Sequence, residues 1–134
     1  MMIYQWVRKY IGIPFVSNGR TMQGCDCYGL VRLVLQNEYG IELPELSDNY
    51  TDALNCEQTA RLFAEKLPVL TAAQIPAPEE KAVAVITENG RPCHIGIVAG
   101  NRYILHANRK TGTVCQRETH PGLQGRIEGY YRVR

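Results

Sequence analysis

The sequence lacks any long apolar run and any block of charge of one sign. No stretch approaches the roughly 18 consecutive apolar residues that span a bilayer, so no membrane span is predicted. The net charge is only +2 and the basic residues are scattered along the chain, which argues against a nucleic-acid partner. From Met1 to Val16 no basic segment precedes an apolar one, so no secretory signal is predicted and synthesis in the cytoplasm is expected.

The sequence also lacks the residue spacings that commonly bind metals. It contains no C-x-x-C pair and no H-E-x-x-H motif. Cys93 and His94 are adjacent, and neighbouring side chains on a strand point to opposite faces, so they could hardly bind one ion. No metal and no cofactor are therefore predicted. The five cysteines are an odd number and cannot all pair. Without a secretory signal, reduced thiols are expected.

The order of the hydrophobic patterns predicts an α+β fold. A length of 134 residues suits a single domain over residues 1–134. The periodicity predicts helices over residues 3–11, 27–39 and 57–67, the last ending before Pro68. It predicts strands over residues 82–87, 94–99, 103–107, 113–117 and 128–133, with residues 77–81 as a short linker. Helices followed by antiparallel strands indicate N-terminal helices packed on a central antiparallel β-sheet.

Cys27 lies where a glycine-containing loop turns into a predicted helix. The free N–H groups and the dipole of a helix N-terminus favour an anion, so this position predicts a lowered pKa and a reactive thiolate. Gly29 is expected to leave room for a substrate backbone. The alternative is that Cys27 is a small apolar residue buried at the start of a structural helix, as free cysteines often are. The other four cysteines are interpreted as structural or incidental.

Two histidines could serve the thiol as base and as orienting partner. His94 opens a predicted strand and shares a face with Gly96, so an open space is expected next to the histidine. Histidine can accept and return a proton near neutral pH. If residues 99–102 form a tight turn, strand pairing brings His106 close to His94, as a third polar group that orients the base. Asn108 is the alternative to His106, and purely structural histidines are the alternative to both. His120, before a Pro-Gly pair, is predicted to lie in a surface loop.

The segments Gly24–Arg32, His94–Val98 and Leu105–Ala107 resemble the NlpC family of cell-wall cysteine endopeptidases. The likeness runs from about Ile11 to Val133. The Gly-Cys-Asp-Cys lead-in is similar to that of short phage-type members found in tail assembly clusters.

The resemblance implies a papain-like fold with Cys27 as nucleophile, His94 as general base and acid, and His106 as the residue that orients His94. It implies a peptidoglycan peptide as substrate, often cut between D-γ-glutamyl and a diamino acid. It also implies association with phage tail proteins and a place in the virion tail, acting at the cell wall.

Three residues near the nucleophile are expected to contact substrate, namely Phe15, Asp26 and Tyr28. Many members of the family that the chain resembles have a tyrosine at the position of Phe15, and Phe15 lacks the tyrosine hydroxyl. The serine that is common after the nucleophile in that family is Tyr28 here. Two alternative functions remain open. The chain could be a non-catalytic tail-assembly or wall-binding module that keeps the fold, or an acyl-transfer enzyme acting on another amide or a thioester.

Overall fold

Two helices pack on one face of a six-stranded antiparallel sheet in the computed structural model, which describes residues 2–134. This arrangement confirms the predicted α+β class. After a short 3₁₀ helix over Gln5–Lys9, the elements in chain order are β1 (Arg20–Thr21), β2 (Gly24–Cys25), α1 (Cys27–Tyr39), α2 (Cys56–Leu70), β3 (Thr71–Ile75), β4 (Val83–Glu88), β5 (Arg91–Gly100), β6 (Tyr103–Asn108), β7 (Gly112–Arg117) and β8 (Ile127–Val133).

The large sheet has the strand order β3-β8-β4-β5-β6-β7. Side chains that alternate along its strands pack into two hydrophobic clusters, one on each face of the sheet. Ile95 and Ile97 of β5 join the cluster that contains the buried face of α1, whereas Val98 joins the cluster on the other face. The predicted alternation along β5 is therefore confirmed, and it places this central strand in contact with both halves of the core.

Helix α1 begins and ends where the sequence predicts. The side chain of Asp26 accepts a hydrogen bond from the Gly29 N–H at 2.8 Å and so caps the N-terminus. Gly40 ends the helix with a left-handed backbone (φ 66°), and its N–H donates to the Gln36 carbonyl. The first residue of the helix is Cys27. The cap therefore fixes the backbone position of Cys27, the candidate nucleophile.

Two predicted helix ranges are wrong, and one strand was not predicted. The helix expected over residues 3–11 is only a 3₁₀ helix over Gln5–Lys9. Helix α2 continues past Pro68 to Leu70, because a proline near the helix end removes only one hydrogen bond and the Thr71 N–H and hydroxyl still cap the Leu67 carbonyl. The residues after it form β3, which pairs with β8 and was not predicted from the sequence. Pairing with a distant strand supplied order that local sequence did not show.

A disulfide joins Cys56 of α2 to Cys93 of β5. The expectation of reduced thiols is therefore wrong for these two cysteines, which the fold brings together across 37 positions of sequence. Cys25, Cys27 and Cys115 are free. The bridge ties the start of α2 to the residue that precedes His94. No helix among residues 2–134 is both long and apolar enough to cross a membrane.

Removing the disulfide should destabilise the domain. Without reductant, we expect the Cys56→Ser/Cys93→Ser double variant to lose about 2–4 kcal/mol of unfolding free energy, because the bridge closes a long loop in the unfolded chain. Urea denaturation followed by circular dichroism measures this. Cys115→Ser, which removes a free thiol, is the matched control and should behave as wild type. Equal stability of wild type and double variant without reductant would contradict the expectation.

Candidate active site

Cys27, His94 and His106 line one cavity of about 220 Å³. The cavity lies at the end of the sheet where β4 and β6 end and β5 begins, and the N-terminus of α1 supplies Cys27. All three candidate catalytic side chains are buried. The structure thus brings together three residues that are separated by up to 79 positions in sequence (106 − 27).

The two histidines form a hydrogen-bonded chain with Gln116 of β7. His94 Nε2 lies 3.0 Å from His106 Nδ1, and His106 Nε2 lies 2.8 Å from Gln116 Oε1. An amide oxygen only accepts, so His106 Nε2 carries a proton and its Nδ1 must accept one from His94 Nε2. The lone pair on His94 Nδ1 is then the free one. Gln116 therefore determines which nitrogen of His94 can act as a base.

Gly96 allows the two histidines to meet. A Cβ at this position would lie 2.7 Å from Ile104 Cγ2 and 2.8 Å from the Leu105 carbonyl oxygen. Strand β6 fills the space beside Gly96, and the open space expected next to His94 is the cavity that His94 lines. The glycine instead permits the close approach of β5 and β6 that holds His106 against His94.

Asp26 lies beneath the surface with no exposed area. One oxygen accepts from Gly29 N–H and Arg20 Nη1, and the other accepts from the Asn18 N–H and the Tyr50 hydroxyl. For Asp26 to contact a substrate, it would have to give up one of these bonds. The structure therefore gives Asp26 the role of holding the loop before α1, and so of positioning Cys27.

Arg20 completes this buried cluster. Its guanidinium lies 5.4 Å from the ring centre of Tyr28 and 5.6 Å from that of Tyr50. It also donates to the Gly19 carbonyl, the residue against which Gly29 packs. A Cβ on Gly29 would lie 2.0 Å from that carbonyl oxygen, so Gly29 makes room for the loop and not for substrate.

The remaining residues predicted to contact substrate lie in different places. Phe15 lines the cavity, as expected for a substrate contact. Tyr28 is almost fully buried, and its hydroxyl donates to the Pro44 carbonyl at 2.6 Å, away from the cavity. His120 is exposed, as predicted, and also lies at the cavity wall. Asn108 lines the cavity without joining the histidine chain.

The environment of Cys27 contradicts the predicted thiolate. Burial, and secondly the Asp26 carboxylate, raise the pKa of the Cys27 thiol to about 12. Backbone hydrogen bonds at Ile95 and Tyr28 act in the lowering direction but are smaller causes. The helix N-terminus is thus outweighed by desolvation and by the acid that caps it. At neutral pH the resting thiol is protonated.

His94 is also neutral at rest. Burial, followed by the proximity of His106, Arg126 and Arg109, lowers the pKa of His94 well below its usual value of 6.5. Burial likewise lowers the pKa of His106. A neutral imidazole with a free Nδ1 lone pair can accept a proton from a thiol. The site is therefore arranged as a neutral acid–base pair and not as a preformed ion pair.

The NlpC/P60 family profile matches residues 12–132. The chain belongs to the NlpC/P60 family. Its fold matches the NlpC/p60 domain of the peptidoglycan hydrolase SagA with a TM-score of 0.62 and 18% identity, over 95% of this chain and 92% of that one. It also matches an NlpC/P60 protein from Bacillus cereus with a TM-score of 0.66 and 16% identity, over 95% of this chain and 37% of that one.

Two curated relatives share sequence with this NlpC/P60 chain. It is 24% identical to the murein DD-endopeptidase/LD-carboxypeptidase MepS of Escherichia coli K12 over 122 residues, which are 91% of this chain and 56% of the relative. It is 45% identical to the γ-DL-glutamyl hydrolase of Bacillus subtilis over 47 residues, which are 34% of this chain and 11% of the relative. The chain thus spans about half of the first protein and about a tenth of the second.

Sequence reasoning missed three residues that hold this arrangement, Arg20, Tyr50 and Gln116. Arg20 lies in the two-residue strand β1 and Tyr50 in an irregular loop, and neither segment has a periodicity that marks these residues. Gln116 shares a face of the sheet with His106, whose direct partner on β7 is Val114. Strand alternation could have found Gln116, but only once that register was known. No group of three or more metal-ligating side chains is placed to hold an ion within residues 2–134.

The hydrogen-bonded chain predicts specific histidine tautomers. Above about pH 7, ¹⁵N spectra of histidine-labelled protein should show His94 protonated at Nε2 and unprotonated at Nδ1, with the same pattern for His106. Gln116→Leu should remove this preference at His106, because its Nε2 proton loses the acceptor. The exposed His120 serves as an internal control. Protonation of His94 at Nδ1 in the wild type would contradict the arrangement.

Proposed function

We propose that this protein is a cysteine endopeptidase that hydrolyses the peptide stems of bacterial peptidoglycan. The observation that carries the proposal is the meeting of Cys27 with the His94–His106–Gln116 chain in one cavity. Membership of the NlpC/P60 family supports the choice of substrate. The name of one curated relative, a γ-DL-glutamyl hydrolase, supports a glutamyl bond as the bond cut. The choice of a D-γ-glutamyl bond to a diamino acid follows the resemblance to the family.

In the proposed reaction the Cys27 sulfur attacks the scissile carbonyl carbon while His94 Nδ1 takes the thiol proton. The carbonyl oxygen becomes an oxyanion, which the free N–H groups in the first turn of α1 can stabilise. His94 then protonates the leaving amine as the C–N bond breaks, which leaves a thioester on Cys27. Water, deprotonated by His94, attacks the thioester and releases a carboxylic acid and the original thiol.

His106 and Gln116 act through His94 in this scheme. When His94 becomes an imidazolium, its Nε2–H still donates to His106 Nδ1, so the ring keeps its orientation through both proton transfers. Gln116 is a neutral acceptor and keeps His106 in the tautomer that can receive this bond. These two residues are therefore positioning residues.

We further propose that a phage tail delivers the protein to the cell wall. The Gly24-Cys25-Asp26-Cys27 lead-in, similar to that of tail-associated members, supports this route. Detection of the chain by mass spectrometry in purified virions tests it, and absence from tails of the phage that encodes it would refute it.

A non-catalytic wall-binding module is the second candidate function. It is favoured by one observation, the buried thiol with a raised pKa. Such a module would bind wall fragments without turnover, and its Cys27 would resist alkylation by iodoacetamide near neutral pH.

Replacing the nucleophile should abolish hydrolysis. We expect Cys27→Ala to release new amino groups from purified peptidoglycan at least about 10³-fold more slowly than wild type, because no other group can form the covalent intermediate. Amine labelling and mass spectrometry of the products measure this. Cys115→Ala, which removes a free thiol outside the cavity, should retain wild-type activity. If wild type and Cys27→Ala give equal rates and both are folded, the proposal fails.

The pH profile should reveal the neutral histidine. His94 must be unprotonated to take the thiol proton, and its pKa is lowered, so the rate should hold down to about pH 6.5 and fall only below it.

The Gln116→Glu variant tests whether Gln116 acts through the histidines. Its new carboxylate raises the pKa of His106. Once protonated, His106 has no acceptor for His94 Nε2–H, and His94 loses its free Nδ1 lone pair. The acid limb should therefore move upward by about one pH unit or more.

Gln116→Leu separates this effect from loss of structure. It removes the acceptor but adds no titrating group, so we expect a lower rate with no upward movement of the acid limb. An unchanged profile for Gln116→Glu would show that Gln116 does not act through the histidines.

A further inference from the structure

Beside the two histidines, the end of the sheet carries an excess of positive charge. A depression of about 450 Å³ is lined by Arg109, Lys110 and Arg126, with Glu88 as its single acid and Asn89 and Asn108 completing the wall. Glu88, Asn108 and the two arginines also line the cavity that contains Cys27. The depression is therefore continuous with the candidate active site, and three cations face one carboxylate.

The arginine side chains of the depression have more N–H donors than Glu88 can accept from. Arg126 is held in place, since its Nε donates to the Thr87 carbonyl at 2.9 Å and its Nη1 to the Gly122 carbonyl at 2.6 Å. Arg109 has Glu88 as its one side-chain partner within residues 2–134. A guanidinium has five N–H donors, and a carboxylate can take two of them in parallel. Arg109 thus presents free donors toward the depression.

We propose that this depression binds a carboxylate of the residue that leaves as the amine. The inference rests on the proposed peptidase function, in which His94 protonates the leaving amine. The leaving half of the substrate must then lie on the side of His94 and His106, where the arginines are. The acyl half is left with the part of the cavity outside the depression, to which Phe15 and Ala53 contribute.

The electrostatics of the cavity agree with this assignment. The charges of Arg126 and Arg109 are among the causes that lower the pKa of His94, so their field reaches the reacting groups. The nearby charged and titratable groups are Glu88, Lys110, His106 and His120, of which only Glu88 is an anion. A carboxylate placed there would balance the excess positive charge, whereas an amide in its place would not.

The test compares two ligands that differ only at the leaving residue. The ligands are L-Ala–γ-D-Glu–L-Lys with a free C-terminal carboxylate and the same peptide as a carboxamide, titrated calorimetrically into Cys27→Ala protein, which cannot cut them. At low ionic strength we expect the carboxylate to bind about threefold to fivefold more tightly, the range of a partly exposed ion pair. Adding Arg109→Gln should bring the two affinities within about twofold of each other.

Arg132→Gln is the matched control, because Arg132 is also an exposed arginine paired with a glutamate, Glu79, and lies outside the cavity. It should preserve the preference for the carboxylate. Equal binding of the two ligands to the Cys27→Ala protein, or a preference that survives Arg109→Gln, would overturn the proposed subsite.

Turnover of the same two peptides by the protein with Cys27 intact distinguishes the two proposals. Cleavage of both at equal kcat/KM would refute the subsite and leave the peptidase standing. A carboxylate preference in binding with no cleavage of either peptide would refute the peptidase and support the carboxylate site. A higher kcat/KM for the carboxylate peptide, reduced by Arg109→Gln, would support both.

Discussion

The carboxylate of Asp26 has no exposed surface and accepts hydrogen bonds from donors on three separate segments of the chain. Removing one partner of such a buried charge typically costs about 3–5 kcal/mol, since the charge that remains cannot reach water. The cluster joins the loop before α1, the first turn of the helix and the loop that carries Tyr50. The position of Cys27 depends on it, because Cys27 is the next residue.

This anchoring has a chemical consequence. The same carboxylate that caps α1 is the second-largest cause of the raised pKa of Cys27, after burial. Burial, the proximity of His106 and the charges of the two arginines lower the pKa of His94. Both influences disfavour a thiolate beside an imidazolium. The resting site is uncharged at its centre, and the proton must move during the attack itself.

Sequence patterns predicted the parts of the fold that depend on local or periodic signals. The bounds of α1 follow from its capping residues and apolar face, and the pairing of His94 with His106 follows from a tight turn between two strands. Strand β3 and the end of α2 escaped prediction because pairing with β8 and a capping threonine decided them. The Cys56–Cys93 bridge escaped because spacing in sequence does not show which cysteines meet. The pKa of Cys27 was predicted in the wrong direction, since a helix N-terminus is visible in sequence and burial is not.

The two arginines link substrate binding to the chemistry of His94. In the free site their charges oppose proton uptake by His94, which is needed when Cys27 attacks. A substrate carboxylate bound at Arg109 would offset part of that charge and raise the pKa of His94, so the base would strengthen when substrate is in place. The oxyanion that forms at the same moment would still lie in a cavity with Arg126 held fixed by two carbonyls. Since Arg109 keeps free N–H donors beside its pairing with Glu88, whereas Arg126 also donates to two carbonyls, the first suits recognition and the second suits a constant field.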